Sequence, residues 1–362
     1  MIPRSEYRSR AVSYNQAFPP SARTKRATVA CTRCRRHRSK CIKHKFTHHS
    51  TGNIRVCFYM AEQMAPTEMY KPTLETAQGF ILLGAAEWAK GDCNRSLIHL
   101  GVASTIVGML RLHREDTYTP SVNAQPEDII HSEEARRTLW MMGMLRNLFA
   151  GHHSPVPFAL NDLTALLPCE ENDFAFGVLP KARAALPTSQ AALDCPELVN
   201  CSSRSLFGSV IQAYKFWGQI ARDACLDARV TKTADVHLWD NASHYSQQAM
   251  ALLEWEAGLS KEHAWSEWNL RVYRAQNLDL AYASIFLGMR LCNIVLRRTY
   301  LADIKDGILN KDTHYVFCEN MSEELFTNVL SLHQGIALYL THRPLTEDAP
   351  GFAHSLLTSL RA

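Results

Sequence analysis

Three cysteines near the start of the chain lie close enough together to bind one metal ion. Cys31 and Cys34 are separated by two residues, and Cys41 follows after six more. Two thiolates at this spacing can bind zinc from a single tight turn, and a third can return to the same ion after a short helix. Four of the six residues before Cys41 carry a permanent positive charge. The segment therefore predicts a metal knuckle that presents a basic helix, an arrangement that several small folds use to bind DNA.

This segment resembles the first half of the fungal-type binuclear zinc cluster, in which six cysteines bind two zinc ions. In that family the half reads Cys-x2-Cys-Arg-x-basic-basic-x-Lys-Cys, and the matching positions here are Cys31, Cys34, Arg35, His37, Arg38, Lys40 and Cys41. The resemblance implies zinc as a cofactor and double-stranded DNA as a partner. It implies base contacts from His37 and Arg38, suited to CGG-type sites. Phosphate contacts would come from Arg35, Arg36 and Lys40.

The second half of the six-cysteine unit has no counterpart, because only Cys57 follows Cys41 before Cys93. Three hypotheses remain open for the metal site. A single zinc is completed by Cys57 or by one of the histidines His44, His48 and His49. Alternatively, two chains pool their first halves in an obligate dimer. The third hypothesis, which we favour, is that residues 42–65 are a misassembled junction, since they show neither cysteine spacing nor heptads.

The charge of the chain is strongly asymmetric. Residues 1–46 contain 13 Lys and Arg and one acid, Glu6, whereas the whole chain carries a formal net charge of only +4. A basic arm on an acidic body indicates a polyanionic partner for the arm alone. Eleven cysteines with one CxxC pair do not form a disulfide framework and indicate a reducing compartment. The basic run of the arm is typical of nuclear import, so we expect a nuclear location.

The remainder of the chain predicts an all-α fold, because no strand-like alternation of any length occurs. We divide the chain into a disordered basic arm (1–29), a partial zinc module (30–57), a linker (58–71) and a helical regulatory domain (72–362). Apolar periodicity predicts helices over about 72–90, 94–112, 205–228, 240–257, 266–300 and 320–341. Another helix is predicted to begin with Ser132 as its N-cap and to stop at Gly151, and residues 178–204 are predicted to form a loop.

Two stretches of this body, residues 72–118 and 133–177, resemble the regulatory domain of fungal transcription factors, often called the middle homology region. Arg136, Arg137 and Trp140 match its Arg-Arg-x-x-Trp motif. The Gly-Arg-Pro turn that usually follows is replaced by Gly151-His152-His153. The resemblance implies that the body binds an effector, a coregulator or another subunit, and that it acts on the transcription machinery.

Catalytic motifs are absent from the sequence: it contains no GxSxG, P-loop, HExxH or strand-linked GxGxxG. We therefore expect no enzymatic activity. The longest charge-free apolar stretch, Ser96–Leu110, is too short to span a membrane. Taken together, the two resemblances predict a zinc-dependent, sequence-specific regulator of RNA polymerase II genes that reads CGG-type sites, with homodimerisation as an open question. The alternative is an interaction protein that keeps only the helical domain and does not bind DNA.

Overall fold

The computed structural model describes residues 61–120, 123–151, 158–199, 204–225, 238–305 and 315–342. The chain divides into two units, Met1–Tyr59 and Met60–Ala362, and only the second contains described residues. Over these ranges every regular element is a helix and no strand occurs. The predicted all-α class is therefore confirmed. The predicted arm and zinc module lie outside the described residues, and the domain boundaries stay a prediction.

Ten α-helices are numbered here in chain order. They are α1 (Leu74–Ala89), α2 (Cys93–Met109), α3 (Pro126–Leu148), α4 (Glu171–Phe176), α5 (Gln190–Asp194), α6 (Leu206–Cys225), α7 (His244–Ala257), α8 (Glu267–Ala275), α9 (Asp279–Lys305) and α10 (Tyr315–His342). Two 3₁₀ turns span Glu115–Tyr118 and Pro196–Leu198. Residues 61–68, in the segment predicted as a linker, are also helical.

Helices α1 and α2 form a hairpin whose ends the sequence predicted closely. The side chain of Thr73 accepts the backbone N–H of Thr76 at 3.2 Å, and Asp92 accepts that of Arg95 at 3.0 Å. Both are N-caps that satisfy amides at the exposed start of a helix. Gly91 between the helices has a φ of 88°, which favours glycine. Local capping chemistry thus fixes this hairpin.

Helix α3 begins at Pro126, six residues before the predicted N-cap at Ser132, so that prediction is wrong. Proline suits the first helical position because its missing N–H has no partner there in any case. The acids Glu127 and Asp128 follow in the first turn, where the helix dipole favours negative charge. The backbone N–H of Gln125 also donates to Asp128 Oδ2 at 3.0 Å. Ser132 consequently lies inside the helix, and α3 ends at Leu148.

The single helix predicted over 266–300 is two helices, α8 and α9. The chain turns between them at Asn277, whose φ is 59°. Asparagine tolerates this left-handed conformation better than most residues, and one such residue ends a helix. The break lets α8 fold back to pack beside α9.

Helix α9 is the central element of the C-terminal half, since α6, α7, α8 and α10 all pack against it. Over Asp279–Leu301 it is long and apolar enough to cross a membrane, but 61% of that apolar window is buried among the other helices. A helix that is apolar on most sides is typical of a protein core. Its buried side chains include Tyr282, Ile285, Met289 and Cys292.

Candidate functional site

The residues predicted to bind metal and DNA all lie outside the described part of the chain. They are the zinc ligands Cys31, Cys34 and Cys41 with Cys57 or His44, the base-contacting His37 and Arg38, and the phosphate-contacting Arg35, Arg36 and Lys40. Among the described residues, no group of three or more His, Cys, Asp and Glu is arranged to hold a metal ion. The predicted zinc and DNA site therefore stays a prediction.

The most extensive polar arrangement in the described chain surrounds Arg136 on α3. Its guanidinium forms two parallel bonds with the carboxylate of Glu115, of 2.6 Å from Nη1 to Oε2 and 2.7 Å from Nη2 to Oε1. The ring of Tyr118 lies against the same group, 4.0 Å from ring centroid to Cζ. The Arg136 side chain is only 3% exposed, so the pair is shielded from water on the arginine side.

Glu133, one turn earlier on α3, is the second centre of this arrangement. Its carboxylate is 1% exposed and lies 2.8 Å from Arg183 Nη1, 3.2 Å from Arg137 Nε and 3.7 Å from Arg136 Nε. It also accepts the backbone N–H of Cys169 at 3.0 Å. A buried carboxylate needs such partners because an unpaired charge in the interior is costly. We refer to Glu115, Glu133, Arg136, Arg137 and Arg183 as the arginine cluster.

The arginine cluster holds a chain segment without regular secondary structure, residues 163–170, against α3. The carbonyl of Leu166 accepts bonds from Arg136 Nη1 at 3.0 Å and from Trp140 Nε1 at 2.9 Å. Its N–H donates to Glu115 Oε2 at 2.8 Å. Three residues on, the carbonyl of Cys169 accepts from Arg137 Nη2 at 3.0 Å. The Arg-Arg-x-x-Trp motif therefore satisfies backbone atoms of a segment that makes no helix of its own.

The charges around the arginine cluster favour a charged Arg137 and a protonated Cys169 thiol. Burial acts to lower the pKa of Arg137, but the carboxylates of Glu171 and Glu133 outweigh it and raise that pKa. Burial, reinforced by the Glu133 charge, raises the pKa of the Cys169 thiol to about 11. Since the thiolate is the reactive and metal-binding form of cysteine, this shift disfavours reactivity and metal binding at Cys169.

A cavity of about 220 Å³ opens beside the cluster. Its walls combine apolar and polar side chains from the first 3₁₀ turn, α3 and the segment after α4: Tyr118, Pro120, Ile129, Ser132, Leu179 and Arg183. Typical small-molecule sites are larger, about 300–1,000 Å³. Both arginines at the cavity already pair with carboxylates. We conclude that the main role of the arginine cluster is structural: it holds residues 163–170 against α3.

A second polar contact joins α6 to the loop before α8. Ser209 Oγ lies 2.9 Å from His263 Nδ1, a pairing that can activate a serine in hydrolases. Here Ser209 is fully buried, so no substrate can reach it. Burial lowers the pKa of His263, which favours the neutral ring. The pair is a satisfied core hydrogen bond.

Sequence reasoning found Arg136, Arg137 and Trp140 through the regulatory-domain motif but missed their partners. Glu115 lies in a 3₁₀ turn 21 residues before Arg136. Arg183 lies in a segment without regular structure. Neither position belongs to a periodic pattern. Local sequence carries no signal for a pairing that only the tertiary fold creates.

Comparison with known proteins finds sequence similarity to two fungal transcription factors. The chain is 26% identical over 243 residues to the "Zn(2)-C6 fungal-type transcription factor FTF1c" of Fusarium oxysporum f. sp. lycopersici, a match that covers 64% of this chain and 25% of that protein. A second protein of the same description and organism is 24% identical over 231 residues, which covers 61% of this chain and 24% of that protein. The chain thus spans about a quarter of the length of these relatives.

No protein-family model matches the chain, and no solved structure matches it. The unit before Met60 is too short to supply a similarity over 64% of the chain. Most of the similarity therefore lies in the helical body.

Proposed function

We propose that this chain is a transcription regulator of the fungal Zn(2)-C6 type, with a zinc-dependent DNA-binding segment before a helical regulatory domain. One observation carries the proposal. The similarity to FTF1c extends into the helical body, and the same chain carries the basic CxxC segment that ends at Cys41. Either feature alone occurs in several classes of protein, whereas a basic CxxC segment followed by this helical body is typical of fungal Zn(2)-C6 transcription regulators. These regulators are not enzymes.

If residues 42–65 belong to the native chain rather than to a misassembled junction, the donor set suits one zinc ion rather than two. Cys31, Cys34 and Cys41 supply three thiolates, and Cys57 or His44 supplies a fourth ligand, which makes the tetrahedral set that structural zinc prefers. Two zinc ions would need six thiolates, which one copy of this segment does not contain. When bound, the ion supplies folding free energy to a segment too short to fold by burial. This chain's own residues then present the basic side chains.

The basic residues between Cys34 and Cys41 divide into two roles. His37 and Arg38 face base edges, and arginine recognises guanine through paired bonds to O6 and N7, which suits CGG-type sites. Arg35, Arg36 and Lys40 bind phosphates, which sets affinity without reading sequence. The arm's basic run directs the chain to the nucleus, where the helical body contacts coregulators or the transcription machinery of RNA polymerase II genes.

A second candidate function is an interaction protein that has lost sequence-specific DNA binding. The missing second half of the six-cysteine unit favours it. Without metal the arm would bind DNA only through charge. Its affinity would then fall steeply with salt and would not depend on base sequence.

Zinc content per chain, measured on protein purified under reducing conditions, tests the proposal. We compare the natural chain with Cys31→Ala and with Cys93→Ala, an exposed cysteine at the start of α2. The proposal expects about one zinc per chain, lost in Cys31→Ala and kept in Cys93→Ala. Binding of a CGG-containing duplex and a scrambled duplex is then measured over a range of salt. Absence of zinc together with equal binding of both duplexes would establish the interaction protein instead.

A further inference from the structure

The cavity beside the arginine cluster combines apolar walls with an arginine that is only partly paired. Tyr118, Pro120, Ile129 and Leu179 supply the apolar walls, and Arg183 lines the same cavity. The volume of about 220 Å³ equals that of roughly seven water molecules. Ligand sites typically combine apolar walls with a small number of polar groups that fix orientation. A cavity of this size therefore suits a small molecule with an apolar body and one polar group.

Arg183 has hydrogen-bond donors to spare. Its Nη1 lies 2.8 Å from Glu133 Oε2 and donates to the carbonyl of Leu167 at 3.4 Å. Within the described residues, its Nε and Nη2 have no hydrogen-bond partner. These two nitrogens lie on one edge of the planar guanidinium, which matches the two oxygens of a carboxylate. The side chain is 12% exposed, so water has limited access to these donors.

The charge of Arg183 is also incompletely balanced. The carboxylate of Glu133 faces not only Arg183 but also the guanidinium groups of Arg136 and Arg137. Those two arginines each have a second carboxylate partner. In the part of the chain that the structure describes, Glu133 is the only carboxylate partner of Arg183. An anionic group in the cavity would complete the pairing of this arginine.

The other polar groups on the cavity walls favour a ligand with a single negative charge. The half-buried hydroxyl of Ser132 lines the cavity, makes no hydrogen bond within the described residues, and can donate one to an anion. Glu115 lines the cavity as well, and its 36% exposed side chain repels a second negative charge. A carboxylate therefore suits the site better than a phosphate group, which carries about −1.5 to −2 charges at neutral pH.

We propose that this cavity binds a small monocarboxylic acid with a short apolar chain. The carboxylate accepts two parallel bonds from Nε and Nη2 of Arg183, and the apolar chain lies against Ile129 and Leu179. Such a ligand contacts α3, the 3₁₀ turn after α2 and the segment after α4 at once. It binds the folded chain alone and therefore stabilises it. The proposal depends neither on zinc nor on DNA binding, so its test is independent of theirs.

A ligand-detected NMR titration of the full chain tests the proposal with two probes, 4-methylpentanoate and its uncharged counterpart 4-methylpentanamide. The probes have nearly the same shape, so a difference in their binding reports the charge. We expect a dissociation constant on the order of 0.1–1 mM for the acid, which an efficient ligand of this size reaches. The amide should bind at least about tenfold more weakly, because it loses the charged hydrogen bonds. Absence of saturable binding, or equal affinity for both probes, would overturn the proposal.

A pair of substitutions at Leu179 locates the bound carboxylate. Leu179 is 57% exposed, so Leu179→Glu and Leu179→Lys leave the core intact. Both remove the same apolar contact, and only the sign of the new charge differs. At low salt the acid should bind Leu179→Lys about three- to tenfold more tightly than Leu179→Glu, whereas the amide should bind both alike. Leu253→Glu, at a 69% exposed position on α7, is the matched control and should bind the acid as the natural chain does.

Arg183→Gln should remove the preference for the acid over the amide. Arg183 also pairs with the buried Glu133, so thermal unfolding verifies that this variant is folded. If it is not, the two Leu179 variants decide the question. Equal binding of the acid to Leu179→Glu and Leu179→Lys would place the carboxylate elsewhere, and the proposal would be wrong.

Discussion

Arg136 and Glu115 meet through two parallel hydrogen bonds of 2.6 and 2.7 Å, although 21 residues separate them in sequence. The contact joins α3 to the 3₁₀ turn after α2. Paired bonds between guanidinium and carboxylate are among the strongest polar contacts in proteins. The Arg136 side chain is 3% exposed and that of Glu115 is 36% exposed, so loss of Glu115 would leave a buried guanidinium with only partial access to water. The pair is therefore a sensitive point of the fold.

We expect Arg136→Ala to lower the free energy of unfolding by about 3 kcal/mol, since it removes a buried guanidinium that pairs with Glu115, lies beside the buried Glu133 carboxylate and binds the Leu166 carbonyl. Arg136→Lys should recover only a small part, because an ammonium group cannot make two parallel bonds to one carboxylate. Urea unfolding followed by circular dichroism measures both. The substitution should also expose residues 163–170 to proteolysis, since Arg136 binds the Leu166 carbonyl.

The control for this prediction is Arg111→Ala. Arg111 pairs with Asp116 at 2.8 Å, and both side chains are more than 60% exposed. Exposed pairs contribute about 0–1 kcal/mol, so the variant should unfold almost as the natural chain does. If both arginine variants lose the same stability, burial is not the reason for the effect at Arg136.

The parts of the fold that local chemistry determines were predictable from the sequence. Helices α1 and α2 lie within a few residues of their predicted bounds because Thr73 and Asp92 cap them. The start of α3 was missed because two N-cap signals compete in that region. Pro126 with its acidic first turn overrides Ser132.

The arrangement of the arginine cluster was beyond sequence reasoning for a different reason. Its motif is readable on α3, but its partners Glu115 and Arg183 come from segments without periodicity. Tertiary packing alone decides which of the many acids and bases meet. The predicted zinc and DNA residues lie outside the described residues, so their roles rest on the sequence pattern.

Helices α3 and α6 cross closely at Gly218, and we expect Gly218→Ala to destabilise the protein. An added Cβ would lie 2.7 Å from the Cβ of Asn147, and overpacking of this kind costs about 1–3 kcal/mol. Gly143→Ala, on α3 with no atom within 4 Å of the added Cβ, is the control. It should be neutral or stabilise by about 0.5–1 kcal/mol, because alanine is the better helix former. Thermal unfolding of both variants measures the contrast, and equal effects would contradict the close crossing.

We expect the buried Lys215 on α6 to make the stability of the protein rise with pH between about pH 8 and pH 10. Burial lowers its pKa to about 8, and its amine donates to Thr188 Oγ1 at 2.7 Å and to the carbonyl of Pro187. Between pH 8 and the ordinary lysine pKa of about 10.4, the unfolded chain binds more protons than the folded one. The contribution of Lys215 to stability therefore rises as pH rises through this range.

The measurement for Lys215 compares the natural chain with Lys215→Met at several pH values. Other groups titrate alike in both proteins, so the difference in unfolding free energy isolates the lysine. We expect this difference to shift by about 2 kcal/mol in favour of the natural chain between pH 7 and pH 10. A difference that does not change with pH would mean that Lys215 is solvated in the folded protein.

The proposed division of roles in the basic segment gives the last prediction. Arg38→Ala should reduce discrimination between CGG-containing and scrambled duplexes by about 1–3 kcal/mol, because a base contact carries sequence information. Its binding to scrambled DNA should change little. Arg36→Ala should weaken binding to both duplexes alike and lower the slope of log affinity against log salt by about one, since one phosphate contact is lost. Titrations of both duplexes at several salt concentrations separate these effects.

The contradicting outcome is that both variants lower the slope of log affinity against log salt while neither changes the preference for the CGG-containing duplex. In that case residues 35–40 act as an undifferentiated charged surface. The helical body would then be the part of this chain that carries its specific function.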